Sequence, residues 1–152
     1  MKRPNRYPYT KPKFRVWDRA RNEMNYKVMV GNCDTDDENW TCPIIWIEEE
    51  KDWLHFDDYE CIMQSTGLKD KNMVEIFEGD VISRNSGMPS VVKFGKWIYE
   101  EDFGYKIKNI GFHLNSSYDD DESFQAMDYE DIRKNYEIIG NVYENPELLE
   151  EK

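Results

Sequence analysis

Apolar residues in this chain come only in short runs, and that restricts what it can build. The longest run is Pro43-Ile44-Ile45-Trp46-Ile47, the length of one core strand. Nothing approaches the ~20 apolar residues that a bilayer crossing requires. Strand-like segments recur instead at intervals of roughly 8–12 residues, with turn-forming residues between them, as in small barrels and sandwiches.

Charge would argue against folding if it stood alone. The 152 residues are 34% charged and only 39% hydrophobic. Aromatic residues settle the matter, because they make up 14% of the chain. Disordered chains lack such residues, since burying them is what offsets the entropy of ordering. The length suits one domain, or two small lobes sharing a core.

The net charge of −12 is unevenly spread. Met1 to Trp17 carries six positive charges and no acid, which leaves −18 on the remainder. Pro4, Pro8 and Pro12 keep the first twelve residues extended, so they read as a basic arm on an acidic body. The acidic body repels phosphate backbones and anionic membranes. No apolar run follows the basic start, so it does not read as a signal peptide. Three cysteines, Cys33, Cys42 and Cys61, without C-x-x-C spacing do not suggest a disulfide framework or a zinc ribbon. A reducing, cytoplasmic location in a bacterial host cell is expected.

Along the chain, Lys13–Trp17 and Met24–Val30 read as a hairpin around a polar turn. Gly31–Asn39 reads as an acidic loop and Thr41–Ile47 as a strand. Glu48–Glu60 stays open between a loop with a short strand and a helical turn. Further strands are expected at Tyr59–Gln64, Glu75–Phe77, Val81–Ile82, Val91–Tyr99 and Gly104–Ile107, with a possible extension through Asn109–Ser117. Tyr105 and Ile107 alternate with Lys106 and Lys108, the pattern of a half-buried strand. Ser123–Asn135 reads as a short helix that turns Met127 and Ile132 inward. Tyr136–Tyr143 reads as a strand with a bulge or close contact at Gly140. Asn145 and Pro146 then read as the cap and first residue of a short terminal helix.

Three strings carry a resemblance. They are Lys13-Phe14-Arg15-Val16-Trp17-Asp18 followed by Met24; Met63-Gln64-Ser65-Thr66-Gly67-Leu68-Lys69-Asp70-Lys71-Asn72, continuing through Glu75-Ile76-Phe77-Glu78-Gly79-Asp80-Val81; and Ile138-Ile139-Gly140-Asn141-Val142-Tyr143-Glu144-Asn145-Pro146-Glu147-Leu148. In this order they resemble the YopX family of phage and prophage proteins, over about residues 13–149. Met73 stands where the family pattern has Gly after Lys71-Asn72, so a wider turn, or Asn72 alone in the left-handed region, is expected. The resemblance implies an SH3-like β-barrel and self-association into oligomers, and it implies no activity.

Sites for chemistry are sparse. Asp119, Asp121, Ser123 and Glu130 fall at positions 1, 3, 5 and 12 of a calcium loop, but Phe124 occupies the place that needs Gly. Cys33, Cys42, Cys61, His55 and His113 lack ligand spacing for zinc. Neither histidine lies near a nucleophile motif, and the glycines are too scattered for a phosphate loop. No catalytic residue, metal or cofactor is assigned, and the chain does not read as an enzyme. Lys2, Arg3, Arg6, Tyr7, Tyr9 and Lys11 suit a partner surface, by charge and stacking on nucleic acid or, in preference, by docking on an acidic protein surface. Trp40 and Trp53, set among acids, are the other candidate contact residues, while Trp46 and Trp97 read as core.

The expected architecture is mainly β, with α+β as the alternative. A basic arm spans 1–12 and an N-terminal β lobe 13–62. An SH3-like barrel and short C-terminal helix occupy 63–152, with the barrel over Met63–Tyr143. The expected role is that of a phage or prophage accessory protein acting through self-association and protein contacts. Two alternatives stand beside it: nucleic-acid binding through the arm, and an acidic mimic of DNA that occupies a host protein.

Overall fold

The computed structural model describes residues 12–34, 41–48, 50–55, 62–116 and 124–150. The first two strands, β1 (Phe14–Asp18) and β2 (Glu23–Asn25), form the expected N-terminal hairpin, with Trp17 opposite Met24. Its second arm is shorter than Met24–Val30. The Asn25 side-chain oxygen accepts the Lys27 amide at 2.9 Å, a local turn that competes with the ladder. The chain then starts a separate sheet, β3 (Val28–Asp34), β4 (Thr41–Ile47) and β5 (Asp52–His55), in that order. Gly31 to Asp34 is therefore strand, where a loop was expected. The ambiguous acidic stretch holds a turn with Lys51 at φ 53°, then β5.

A second sheet has the order β2-β1-β6-β7, with β6 (Ile62–Lys69) and β7 (Glu75–Phe77). Asp70 builds the turn between these two. One of its buried carboxylate oxygens accepts the Asn72 and Val74 amides at 2.9 and 3.0 Å, and the other accepts the Ile138 amide at 3.0 Å. Met73 itself takes the left-handed position, at φ 64°. This corrects one of the two expected arrangements, the one with Asn72 alone in the left-handed region.

The third sheet follows the order β11-β10-β9-β8-β12. It comprises β8 (Asp80–Arg84), β9 (Pro89–Glu100), β10 (Lys106–Asn115), β11 (Phe124–Gln125) and β12 (Tyr136–Asn141). The protein is mainly β, with a sheet that curls into a half-barrel. The strands between Met63 and Tyr143 are divided between two hydrogen-bonded sheets. The single α-helix among the described residues is α1 (Tyr129–Asn135), opened by Asp128, whose carboxylate accepts the Asp131 amide at 3.0 Å. Ile132 on α1 is buried against Ile76, Ile82, Val92, Leu114 and Tyr136, with Met127 packed beside them, as its place in the sequence suggested.

A buried ion pair latches the second sheet to the third. Arg15 of β1 donates to Asp80 at the start of β8 at 2.8 Å and to the Glu78 carbonyl at 3.2 Å, and lies over the Phe77 ring at 4.8 Å. The other Asp80 oxygen accepts the Phe77 amide at 2.8 Å. Burial pushes the Asp80 carboxyl up, while the Arg15 charge and the Phe77 amide pull it down.

At the C-terminal end the ladder shifts register between Ile138 and Gly140, so Gly140 marks the expected bulge. Asn145 does not cap the following 3-10 turn, Pro146–Leu149, with its side chain. Its side-chain oxygen accepts the Asn141 amide instead, at 3.3 Å.

Candidate functional site

The long hairpin β9–β10 leaves the body of the fold. Its ten register pairs run from Val91↔Asn115 to Glu100↔Lys106 without a bulge. On one side β8 pairs only with Pro89 to Val91, and on the other β11 pairs only with Leu114 and Asn115. From Lys93 to His113 the chain is thus a two-stranded ribbon without a strand neighbour on either edge among the described residues.

Cross-strand partners share a face of a sheet, so the register sorts the side chains. Phe94, Lys96, Ile98, Lys108, Ile110 and Phe112 share one face, where the Phe94 and Phe112 rings meet edge to face at 4.9 Å. Lys93, Trp97, Tyr99, Ile107, Asn109 and His113 share the other, together with the paired glycines Gly95 and Gly111. These glycines have φ 152° and 146°, a region that side-chain-bearing residues rarely enter. Trp97 stacks on His113 across them, with centroids 5.8 Å apart, and Phe124 of β11 meets His113 edge to face at 5.4 Å. Burial and the Lys93 charge hold the His113 imidazole below its ordinary pKa, opposed by its contact with the Gly111 carbonyl at 3.1 Å.

Beyond this root the ribbon is uncovered. Ile110 is 76% exposed, Tyr105 72% and Phe103 fully so, and Phe94, Ile98, Tyr99 and Ile107 are also exposed. The alternation of Tyr105 and Ile107 with lysines suggested a half-buried strand, but that stretch stands in solvent. The tip turns through Asp102, Phe103 and Gly104, closed by the Glu101 amide donating to the Tyr105 carbonyl at 2.8 Å. Phe103 sits there at φ 77°, an outlier for a bulky residue. Around the Trp97–Asn109 pair lies a concavity of about 450 Å³, lined also by their strand neighbours Lys96, Ile98, Lys108 and Ile110 and by Phe124.

Of the residues singled out in the sequence, Lys2, Arg3, Arg6, Tyr7, Tyr9, Lys11 and Trp40 lie outside the described residues. The backbone of Trp53 is placed on β5, opposite Trp46. Trp46 is half-buried, and its indole N–H donates to the Glu48 carboxylate at 2.9 Å, so it is not the core residue expected. Trp97 is half-buried at the ribbon root. Cys33 and Cys42 are register partners in β3–β4, whereas Cys61 and the calcium-loop positions Asp119, Asp121 and Ser123 lie outside the described residues. No group of three metal-ligating side chains occurs among the described residues. No helix among them is long and apolar enough to cross a membrane.

The strings that stood out in the sequence occupy defined structural positions. The first is β1 with its latch arginine; the second runs from β6 through the Asp70 turn to β8; the third is the bulge and the Asn141 turn. In that turn the Asn141 side-chain oxygen accepts the Tyr143 and Glu144 amides at 3.0 and 2.9 Å. The Tyr143 ring stacks on Trp17 of β1, 5.5 Å away. A family model described as "YopX protein" matches residues 13–150. The chain belongs to the YopX family. It is also similar to the crystal structure of protein EF1440 from Enterococcus faecalis, with 27% identity and a TM-score of 0.52 over 93% of this chain and 100% of that one. No curated protein matches. The YopX segments thus fall on turns, a latch and a stacking pair that hold the fold, while the exposed ribbon side chains lie outside all three.

Proposed function

We propose that this YopX chain is a non-enzymatic accessory protein of phage or prophage, acting in the bacterial cytoplasm through protein contacts that include copies of itself. One observation carries the reading: the β9–β10 ribbon and its tip hold seven large exposed apolar side chains, all but Phe94 beyond the ribbon root. Exposed apolar groups concentrated on one projecting element are a recognised mark of a contact surface. Two of the seven, Tyr99 and Tyr105, are of a residue type enriched at interface hot spots.

A capture experiment tests this. The tagged full chain is compared with a double variant, Tyr105→Ser with Ile110→Lys, before and after nuclease treatment. A protein retained by the full chain after nuclease and lost with the variant is expected. Material lost on nuclease treatment, and lost again on deleting Met1 to Pro12, would replace this reading with nucleic-acid binding through the arm.

A further inference from the structure

We infer that this chain binds a phosphate monoester, held by Lys69 and Arg133 in a hollow between β6 and α1. The site shares no residue with the ribbon and does not depend on the protein-contact reading.

The hollow measures about 270 Å³ and is lined by Gly67, Lys69, Met73, Tyr129 and Arg133. Lys69 ends β6. Tyr129 and Arg133 stand four residues apart on α1, which sets them on one face of that helix. Met73 comes from the turn between β6 and β7, which the buried Asp70 carboxylate holds through the Asn72 and Val74 amides. Strand, turn and helix thus fix the lining from three sides.

Charge points to the ligand. The chain has 32 acids against 20 lysines and arginines, yet two cations and no acid line this hollow. The acids around it are engaged elsewhere. Glu75, the register partner of Lys69, binds Lys13 at 3.2 Å. Glu130 faces Lys134 at 3.8 Å, Asp131 holds Arg84 at 3.1 Å and Glu137 faces Lys71 at 3.7 Å. Arg15, Arg21 and Arg84 each have a carboxylate, whereas among the described residues Lys69 and Arg133 have none. Two like charges beside one small space repel, and an anion shared between them removes that cost. A phosphate monoester carries about −1.5 to −2 charges at pH 7, which matches the pair. The guanidinium fork of Arg133 suits its oxygens two at a time.

Shape gives the rest of the ligand. Tyr129 and Met73 are exposed and add apolar surface to the lining. Met73 does so at φ 64°, a costly conformation for a residue with a side chain, and strain of this kind gathers at ligand sites. The Gly of the family pattern would take that conformation freely but would supply no wall. Pockets for drug-sized ligands run from about 300 to 1,000 Å³. The smaller hollow therefore suits a phosphate on a single ring or a short chain.

Calorimetric titration of the full chain with phenyl phosphate, at low ionic strength, tests this beside inorganic phosphate and benzoate. Phenyl phosphate is expected to saturate and to bind about 10-fold more tightly than either comparison, because only it offers both the dianion and the ring. Arg133→Gln and Lys69→Gln should each weaken it about 10-fold or more, while Lys134→Gln, on the same helix but outside the hollow, should leave it largely unchanged. Met73→Gly should weaken phenyl phosphate and spare inorganic phosphate. A phosphotyrosine peptide run in parallel separates two sources of the group: tighter binding than phenyl phosphate assigns it to a protein side chain, weaker binding to a free small molecule. No saturable binding of phenyl phosphate at millimolar concentration, equal binding of benzoate, or binding that survives both Arg133→Gln and Lys69→Gln would overturn the inference.

Discussion

Trp97 and His113 stack across a pair of opposed glycines, Gly95 and Gly111, with ring centroids 5.8 Å apart. The glycines carry no side chains into the gap, so an aromatic from each strand spans it, the arrangement by which aromatics compensate strand glycines. This contact anchors the root of the ribbon, and Phe124 braces its outer side.

The stack makes the ribbon root sensitive to acid. The His113 imidazole is held below its ordinary value of 6.5, by burial first and the Lys93 charge last. Between the folded and unfolded values the unfolded chain binds more protons, so stability falls as pH drops. This contribution is full above pH 6.5 and is lost as pH falls through the lower folded value. Near-ultraviolet circular dichroism of the tryptophans should report loosening below that pH. In His113→Gln the acid-side slope should flatten.

The latch between sheets should be intolerant of half removal. Asp80→Ala leaves Arg15 buried at 3% exposure without its carboxylate, and urea unfolding should show a loss of about 3–5 kcal/mol. Arg15→Met combined with Asp80→Leu removes both charges and should cost less than Asp80→Ala alone. Equal losses in the two would contradict a role for the unpaired charge.

Gly140 has a packing reason to lack a side chain. A Cβ there would meet the Asn145 side-chain oxygen at 2.5 Å. Gly140→Ala should destabilise by about 1–3 kcal/mol, the usual range for overpacking. In an Asn145→Gly background the added cost of Gly140→Ala should shrink, because the clashing group is gone.

Met73 offers the opposite case. It is exposed and sits at φ 64°, so its side chain contributes little and its backbone is strained. Met73→Gly should raise stability by up to about 1 kcal/mol, less the greater freedom of glycine in the unfolded chain. Thermal unfolding reads this directly.

Much of the framework was legible in the sequence, because local rules decided it. The N-terminal hairpin, the inward Ile132 of α1 and Met127 just before its cap, and the bulge at Gly140 follow from alternation, capping and turn chemistry. The strings that mark the family were also legible, and the structure explains them through side chains such as Asp70 and Asn141, which each accept several backbone amides. Long-range choices were not. Apolar alternation does not say that Asn25 ends one sheet and Val28 begins another, since each segment is equally strand-like; the break is made by the Asn25 side chain accepting the Lys27 amide. The ribbon surface was missed for a related reason. Alternating Tyr105, Lys106, Ile107 and Lys108 announces an apolar face, but a sequence does not tell whether the same chain covers it. That uncovered alternation was the available signal for the contact surface.

Self-association through the ribbon, as proposed, predicts protection there that rises with protein concentration. Hydrogen exchange of the full chain, followed at several protein concentrations, addresses it residue by residue. Amides between Lys93 and His113 should gain protection as concentration rises, while the core around Ile82, Val92 and Leu114 stays unchanged. Protection in the ribbon that is the same at every concentration would contradict the account.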